Sequence, residues 1–103
     1  MINVVFFHDS NWRIRGYKVE FGDTDLHKAD RVTVVANVLG LLVGTKLALK
    51  ELKAYHCKND SDELYEVTLL RVNKNTAAVL KPLELGVKQF ATTFPHIIKV
   101  KQF

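Results

Sequence analysis

The chain has 103 residues, of which 48% are hydrophobic and 25% are charged, and its net charge is +4. These proportions exclude a disordered chain and indicate one compact domain, residues 1–103. The single cysteine, Cys57, excludes an internal disulfide, and the positive charge permits an acidic partner such as RNA without requiring one.

The first predicted element is a β-hairpin. Residues 2–8 are rich in β-branched and aromatic residues, and residues 12–21 form the returning strand after a polar turn. The alternation of apolar residues in the second strand slips by one position at Gly16. Because glycine often occupies a β-bulge, we predict a bulge at or beside Gly16.

A polar loop, residues 22–29 (GDTDLHKA), leads into the longest apolar segment, residues 30–53. We predict a helix there, with Asp30 as its N-cap. Apolar residues occupy a broad arc of this helix, so we expect it to be covered on most sides.

We expect no membrane span, because no apolar run looks long and charge-free enough for the required ~20 residues. We expect no signal peptide either, because the start, MINVVFF, has no basic stretch and no small-residue cleavage site. With the lone thiol, this predicts a cytoplasmic protein.

A stripe of small or short polar residues crosses the long helix: Thr33, Asn37, Gly40, Gly44 and Ala48. Two glycines inside a helix each cost about 1 kcal/mol relative to alanine, so a packing or functional gain should offset them. The stripe therefore predicts close approach of a second helix. That helix belongs either to this chain, in ordinary intrachain packing, or to a partner subunit.

The second half of the chain predicts three further elements. After a polar connection at residues 55–61, they are a third strand at residues 64–72, a second helix at residues 76–93 that contains Pro82, and a fourth strand at residues 97–102. The predicted fold is α+β: a single-layer sheet of about four strands in the order ββαβαβ, packed against two helices.

Two constellations of reactive side chains give weak signals. Asp23, Asp25 and His27 alternate along the polar loop and could face a divalent metal together, but a fourth ligand is missing, so we predict neither a metal nor a cofactor. His56 and Cys57 are neighbours in sequence, which rarely aims one side chain at the other, so we do not predict a nucleophilic pair.

The element order, the segment FGDTDLHKADRVTVVANVLGLLVGT and the closing segment PLELGVKQFATTFPHIIKV resemble the ribosomal-processing cysteine proteases, the Prp or YsxB-like family. The resemblance covers nearly the whole chain. It implies a homodimer, in agreement with the Gly40, Gly44 and Ala48 stripe, and a substrate that is the N-terminal extension of a large-subunit ribosomal protein.

The resemblance fails at the chemical positions. The family histidine follows the loop glycine, where this chain has Asp23 after Gly22, and the family cysteine corresponds to Thr33. A family serine one turn later corresponds to Asn37, whereas Gly22 and Asp30, which shape the family site, remain.

These changes predict the loss of peptidase activity. A threonine hydroxyl ionises far less readily than a cysteine thiol, and an ionised aspartate is a poor base for it. His27 is the one candidate rescue, and a solvated loop histidine is its simpler interpretation. Asp23 could instead occupy the anion site formed by the free amides of the helix N-terminus.

Three functions are consistent with these observations. The first is a catalytically inactive Prp-like protein that binds a peptide or a ribosome-associated partner, or serves as a dimeric scaffold. The second is an active peptidase with an unorthodox nucleophile that processes a ribosomal-protein extension. The third is a small RNA-binding module, which the charge supports but no aromatic stacking motif does.

Overall fold

One mixed sheet, covered on one side by two helices, makes up the fold. The computed structural model describes residues 1–22 and 29–103. The strands are β1 (Ile2–His8), β2 (Ile14–Glu20), β3 (Tyr55–Asp60), β4 (Leu64–Leu69) and β5 (Ile98–Gln102), and the helices are α1 (Ala29–Glu51) and α2 (Lys74–Thr93). The predicted α+β class with two helices is confirmed.

The sheet has five strands in the order β3-β4-β2-β1-β5, so the prediction of about four strands is wrong. All neighbouring strands are antiparallel except β1 and β5, which run parallel. The missed strand is β3, which we predicted to be a polar connection. It is an edge strand that pairs only with β4, and its sequence, YHCKND, is polar because most of its residues are exposed.

The predicted β-bulge beside Gly16 is confirmed. Phe7 pairs with Gly16 and His8 pairs with Ile14, so Arg15 is the extra residue in β2. A Cβ atom at Gly16 would lie 2.8 Å from the Val67 carbonyl oxygen of β4, which explains why the position lacks a side chain.

Helix α1 begins at Ala29 rather than at an Asp30 N-cap, and Asp30 lies in its first turn. Five residues on one face are buried: Val34, Val38, Leu42, Thr45 and Leu49. Within a single chain, the expected cover of α1 on most sides would need a second molecule, because four large apolar side chains are 44–59% exposed: Val32, Leu39, Val43 and Leu47. These four residues are called the outer face of α1 below.

By length and composition, α1 could cross a membrane, so the expectation that no apolar run is long enough is also wrong. A core helix of a globular protein meets the same criterion, and α1 packs against α2 and β3. Length and apolar composition therefore do not by themselves assign α1 to a membrane.

Helix α2 begins two residues before the predicted start, at a capping box. The Asn73 side chain accepts hydrogen bonds from the Asn75 and Thr76 amides, and the Thr76 hydroxyl accepts one from the Asn73 amide. Pro82 lies inside the helix, as predicted. Leu80, Leu83 and Val87 of α2 are buried in the shared core over the sheet.

Candidate functional site

The residues that match the family site begin at the end of β2. Gly22 has a φ of +60°, and a Cβ atom there would lie 2.7 Å from the Met1 carbonyl oxygen. An L-residue with a side chain is disfavoured in this conformation and would also clash, so only glycine fits the turn. After Gly22, the next described residues are those of the first turn of α1.

Thr33 lies in that first part of α1, where the resemblance places a nucleophile. Its Oγ1 donates a hydrogen bond to the Ala29 carbonyl oxygen at 3.0 Å. One turn later, Asn37 Nδ2 donates to the Thr33 carbonyl oxygen at 2.8 Å. Both side chains are exposed and both are engaged by the backbone of their own helix, which is an ordinary use of threonine and asparagine in helices. The structure thus brings Thr33 and Asn37 together without aligning them as a nucleophile and its activator.

Asp23, Asp25 and His27 lie outside the described residues, so the predictions for them and the hypothesis that Asp23 occupies the helix N-terminus stay predictions. Within residues 1–22 and 29–103, no three of the histidine, cysteine, aspartate and glutamate side chains are grouped so that they could hold a metal ion.

A cavity of about 400 Å³ lies between α1 and the turn that joins β3 to β4. Its apolar lining includes Phe21, Val35 and Leu42, and its polar lining includes the β3–β4 turn residues 60–62 and Lys46 of α1. Apolar walls with a few polar groups at the edge are typical of sites that receive an apolar side chain or a small ligand.

The cavity and Thr33 occupy different faces of α1. With 3.6 residues per turn, Leu42 lies about half a turn around the helix from Thr33, and Val35 is similarly displaced. Leu39 and Val43 belong both to the cavity lining and to the outer face of α1, so the cavity opens at the edge of that apolar face. A molecule in the cavity would contact the helix away from the hydroxyl of Thr33.

The three tyrosines of the chain lie together on the covered side of the sheet, and Tyr65 also lines the cavity. The Tyr55 and Tyr65 hydroxyl oxygens are 2.8 Å apart, and the rings of Tyr17 and Tyr65 are 6.3 Å apart. Burial raises the pKa of all three phenols above the ordinary tyrosine value, and their mutual proximity adds to the effect for Tyr17 and Tyr55. The cluster is therefore neutral and contributes hydrogen bonds rather than charge.

At Gly40 and Gly44, the small-residue stripe borders open space among the described residues. Cβ atoms added at Gly40 or Gly44 would meet no neighbouring heavy atom within 4 Å among the described residues. The helices instead approach each other at Gly86 of α2, where an added Cβ would lie 2.7 Å from Leu41 Cδ1. Intrachain helix packing therefore does not explain Gly40 and Gly44, and Ala48 in the same stripe is only half-buried.

Sequence reasoning missed the cavity because it missed β3. The turn residues Asp60 and Asp62 come over α1 only when the segment before them pairs as a strand with β4. A signal was present in the hydroxyl and carboxylate residues of NDSDE, which are typical of a tight turn between two strands.

Comparisons with known proteins agree on the fold. No family model and no curated protein matches the sequence. Among solved structures, the essential ribosomal processing protease Prp from S. aureus matches in complex with a substrate peptide (TM-score 0.84) and with a covalently linked product peptide (TM-score 0.83). In both cases the identity is 15% and the match covers 100% of each chain.

SMU.848 from Streptococcus mutans matches with a TM-score of 0.78 at 14% identity, over 100% of this chain and 97% of that one. Identities this low establish a shared architecture rather than a shared activity. The chain therefore has the Prp fold over its whole length.

Proposed function

We propose that this protein is a Prp-like protein that has lost peptidase activity and acts by binding a peptide or protein. The observation that carries the proposal is the state of Thr33. Its hydroxyl replaces the thiol that the family chemistry requires and donates to the Ala29 carbonyl of its own helix. A helix terminus alone does not lower the pKa of an alcohol far enough to give an alkoxide at neutral pH, so the position of Thr33 in α1 does not by itself make it a nucleophile.

Peptide binding is supported by the cavity and by the fold. The S. aureus Prp with the same fold was solved with a substrate peptide and with a product peptide. In this chain the apolar cavity beside α1 is large enough for one or two apolar side chains and is distinct from the Thr33 position. Loss of cutting chemistry at Thr33 therefore leaves a surface for peptide recognition intact.

We further propose that the protein is a cytoplasmic homodimer with no membrane association. The molecule that this dimer binds is a ribosomal protein or another peptide at the ribosome. The outer face of α1 supports the dimer, because four exposed apolar side chains lie beside the open Gly40 and Gly44 stripe. Small residues allow a second helix to approach closely, and the apolar side chains beside them would lose their contact with water.

The test restores the missing groups. In the variant Asp23→His/Thr33→Cys, a thiol stands in the first turns of a helix, where the helix dipole favours the thiolate, and position 23 carries the imidazole that the family resemblance implies as its partner. We expect this variant to cleave a peptide that carries the N-terminal extension of a large-subunit ribosomal protein, as followed by mass spectrometry. Thr33→Cys alone is the matched control and should cleave at least tenfold more slowly, since general-base assistance typically contributes that much or more.

If the double variant folds, as shown by an unchanged circular dichroism spectrum, and still cuts no faster than the single variant, the placement of the family site at Asp23 and Thr33 is wrong. Cleavage by the unmodified protein that disappears in Thr33→Ala would instead favour the active peptidase.

A further inference from the structure

Two aspartates of the β3–β4 turn, Asp60 and Asp62, line the cavity beside α1. Asp60 is the last residue of β3 and pairs with Tyr65, which is buried on the covered side of the sheet. Directly paired residues point to the same side of a sheet, so the Asp60 side chain also lies on the covered side, toward α1. Burial raises the pKa of Tyr65, and the negative charge of Asp60 adds to this effect, in agreement with this placement.

The turn does not need these two carboxylates to hold its shape. It is held by Ser61, whose Oγ accepts a hydrogen bond from the Leu64 amide at 3.1 Å and whose amide donates to the Leu64 carbonyl oxygen at 2.9 Å. In the part of the chain that the structure describes, neither aspartate side chain has a hydrogen-bond or ion-pair partner. Both aspartates are exposed, so their carboxylates are available to a ligand.

The lysines around the cavity do not neutralise this turn. Lys46 lines the cavity on the α1 side, but its Nζ lies 5.9 Å from the centre of the Tyr55 ring, and Lys50 Nζ lies 5.5 Å from the same ring. Both distances are typical of cation–π contacts. Lys58 of β3 is exposed and does not line the cavity. The turn side of the cavity rim therefore carries negative charge, although the chain as a whole has a net charge of +4.

We propose that the cavity selects peptides in which a lysine or arginine lies within two residues of a large apolar side chain. The apolar side chain packs against Val35 and Leu42, and the cationic group lies against Asp60 and Asp62. Residues two apart in an extended peptide point to the same side at a spacing of about 6.6 Å, and the long stem of a lysine or arginine extends its reach. This inference rests on the proposed function, because it names the class of peptide that the same cavity binds.

Other occupants fit these charges less well. A protein with a net charge of +4 attracts acidic peptides at long range, so a preference for a basic peptide must come from the local charge of the rim. A wholly apolar segment would contact the walls and leave the two aspartates to water. The outer face of α1 in a second copy of the chain consists of uncharged side chains, which do not complement the aspartates either.

Four blocked, dye-labelled peptides of equal length, in a glycine-serine background, test the selection on the full-length protein. Three carry a central leucine flanked by two lysines, two glutamines or two glutamates, and the fourth carries two lysines around a central serine. Fluorescence anisotropy at low salt gives the Kd of each peptide. We expect the leucine–lysine peptide to bind about fivefold more tightly than the leucine–glutamine peptide, and the leucine–glutamate peptide to bind most weakly of the three. The serine–lysine peptide should bind about tenfold more weakly than the leucine–lysine peptide, because it buries no apolar side chain.

Two charge-matched variants locate the selection. Asp60→Asn/Asp62→Asn should bind the leucine–lysine peptide about fivefold more weakly and lose the preference for lysine over glutamine. Glu20→Gln/Glu66→Gln removes the same number of charges from the side of the sheet that carries no helix, and should keep the preference. Unchanged circular dichroism spectra show that both variants fold.

The outcomes separate this inference from the proposed function. If the three leucine peptides bind equally well, the selection is wrong and peptide binding in the cavity stands. If no leucine peptide binds at about 1 mM, both are wrong. Loss of the preference in both variants would indicate an effect of net charge and overturn the selection. An affinity for the leucine–lysine peptide that falls as the protein concentration rises would overturn it too, by placing a second copy of the chain over the cavity.

Discussion

Single residues decide the chemistry of this protein, and hydrogen bonding at Thr33 is the clearest case. A threonine side chain that donates to the carbonyl four residues earlier is satisfied within its own helix, and the exposed position gives no desolvation that would change its acidity. Hydrophobic patterning says nothing about this position, and only the resemblance to a known family singled it out. The adjacent residues 23–28 lie outside the described structure, so the expected roles of Asp23, Asp25 and His27 stay predictions.

The tyrosine cluster makes a prediction at the same scale. Tyr17, Tyr55 and Tyr65 should each titrate above pH 10, the ordinary value for a phenol, because burial disfavours the phenolate. Above pH 10 the unfolded chain then binds fewer protons than the folded chain, so stability should fall as the pH rises through this range.

The measurement for the tyrosines is a spectrophotometric titration of phenolate absorbance in the folded protein and in denaturant. Tyr55→Phe serves as a control, since it removes one titrating group and the hydrogen bond between the Tyr55 and Tyr65 hydroxyls. Phenols that titrate in the folded protein as they do in denaturant would contradict the burial described for this cluster.

At the scale of elements, patterning predicted most of the fold and failed in two places. The β1 strand, the bulge beside Gly16 and both helices follow from alternation, glycine and helical spacing. Strand β3 was missed because an edge strand needs no continuous apolar face, and its polar sequence resembles a loop. The second failure is the apolar run of α1, which was judged too short and too charged to span a membrane. Periodicity shows which residues of α1 are apolar, but not which of them are covered by a partner.

Alanine substitution of a helix glycine should stabilise the fold more in α1 than in α2. Gly44→Ala should raise the free energy of unfolding of the monomer by about 1 kcal/mol, because the added methyl group enters open space and alanine favours the helix. Gly86→Ala should raise it less or lower it, because the new Cβ would displace Leu41.

Urea unfolding at low protein concentration, where the monomer dominates, measures both variants. Thermal unfolding at high concentration adds a second readout, since an alanine at Gly44 should weaken a dimer that packs on the stripe. A Gly44→Ala variant less stable than Gly86→Ala at low concentration would contradict the open position of Gly44.

At the scale of the whole molecule, the outer face of α1 gives the domain an apolar surface that a lone monomer would leave in water. We predict a dimer through this face. Val43→Asp/Leu47→Asp should dissociate it while leaving the fold of the monomer intact, because both side chains are more than half exposed before the change. Sedimentation equilibrium measures the dissociation.

The control for the dimer is Leu85→Asp, which places one aspartate on an exposed leucine of α2 and should leave the dimer unchanged. A wild-type protein that sediments as a monomer at high concentration would remove the dimer from the proposed function. The proposed binding of a peptide in the cavity would then have to occur within a single chain.

The central claim is that the Prp fold persists here without its cutting chemistry. The most direct measurement is mass spectrometry of the unmodified protein after prolonged incubation with a peptide carrying a ribosomal-protein N-terminal extension, with Thr33→Ala in parallel. We predict that the peptide stays intact and that neither protein gains mass. A cleaved peptide or an acyl adduct on Thr33, present in the unmodified protein and lost in Thr33→Ala, would contradict the claim.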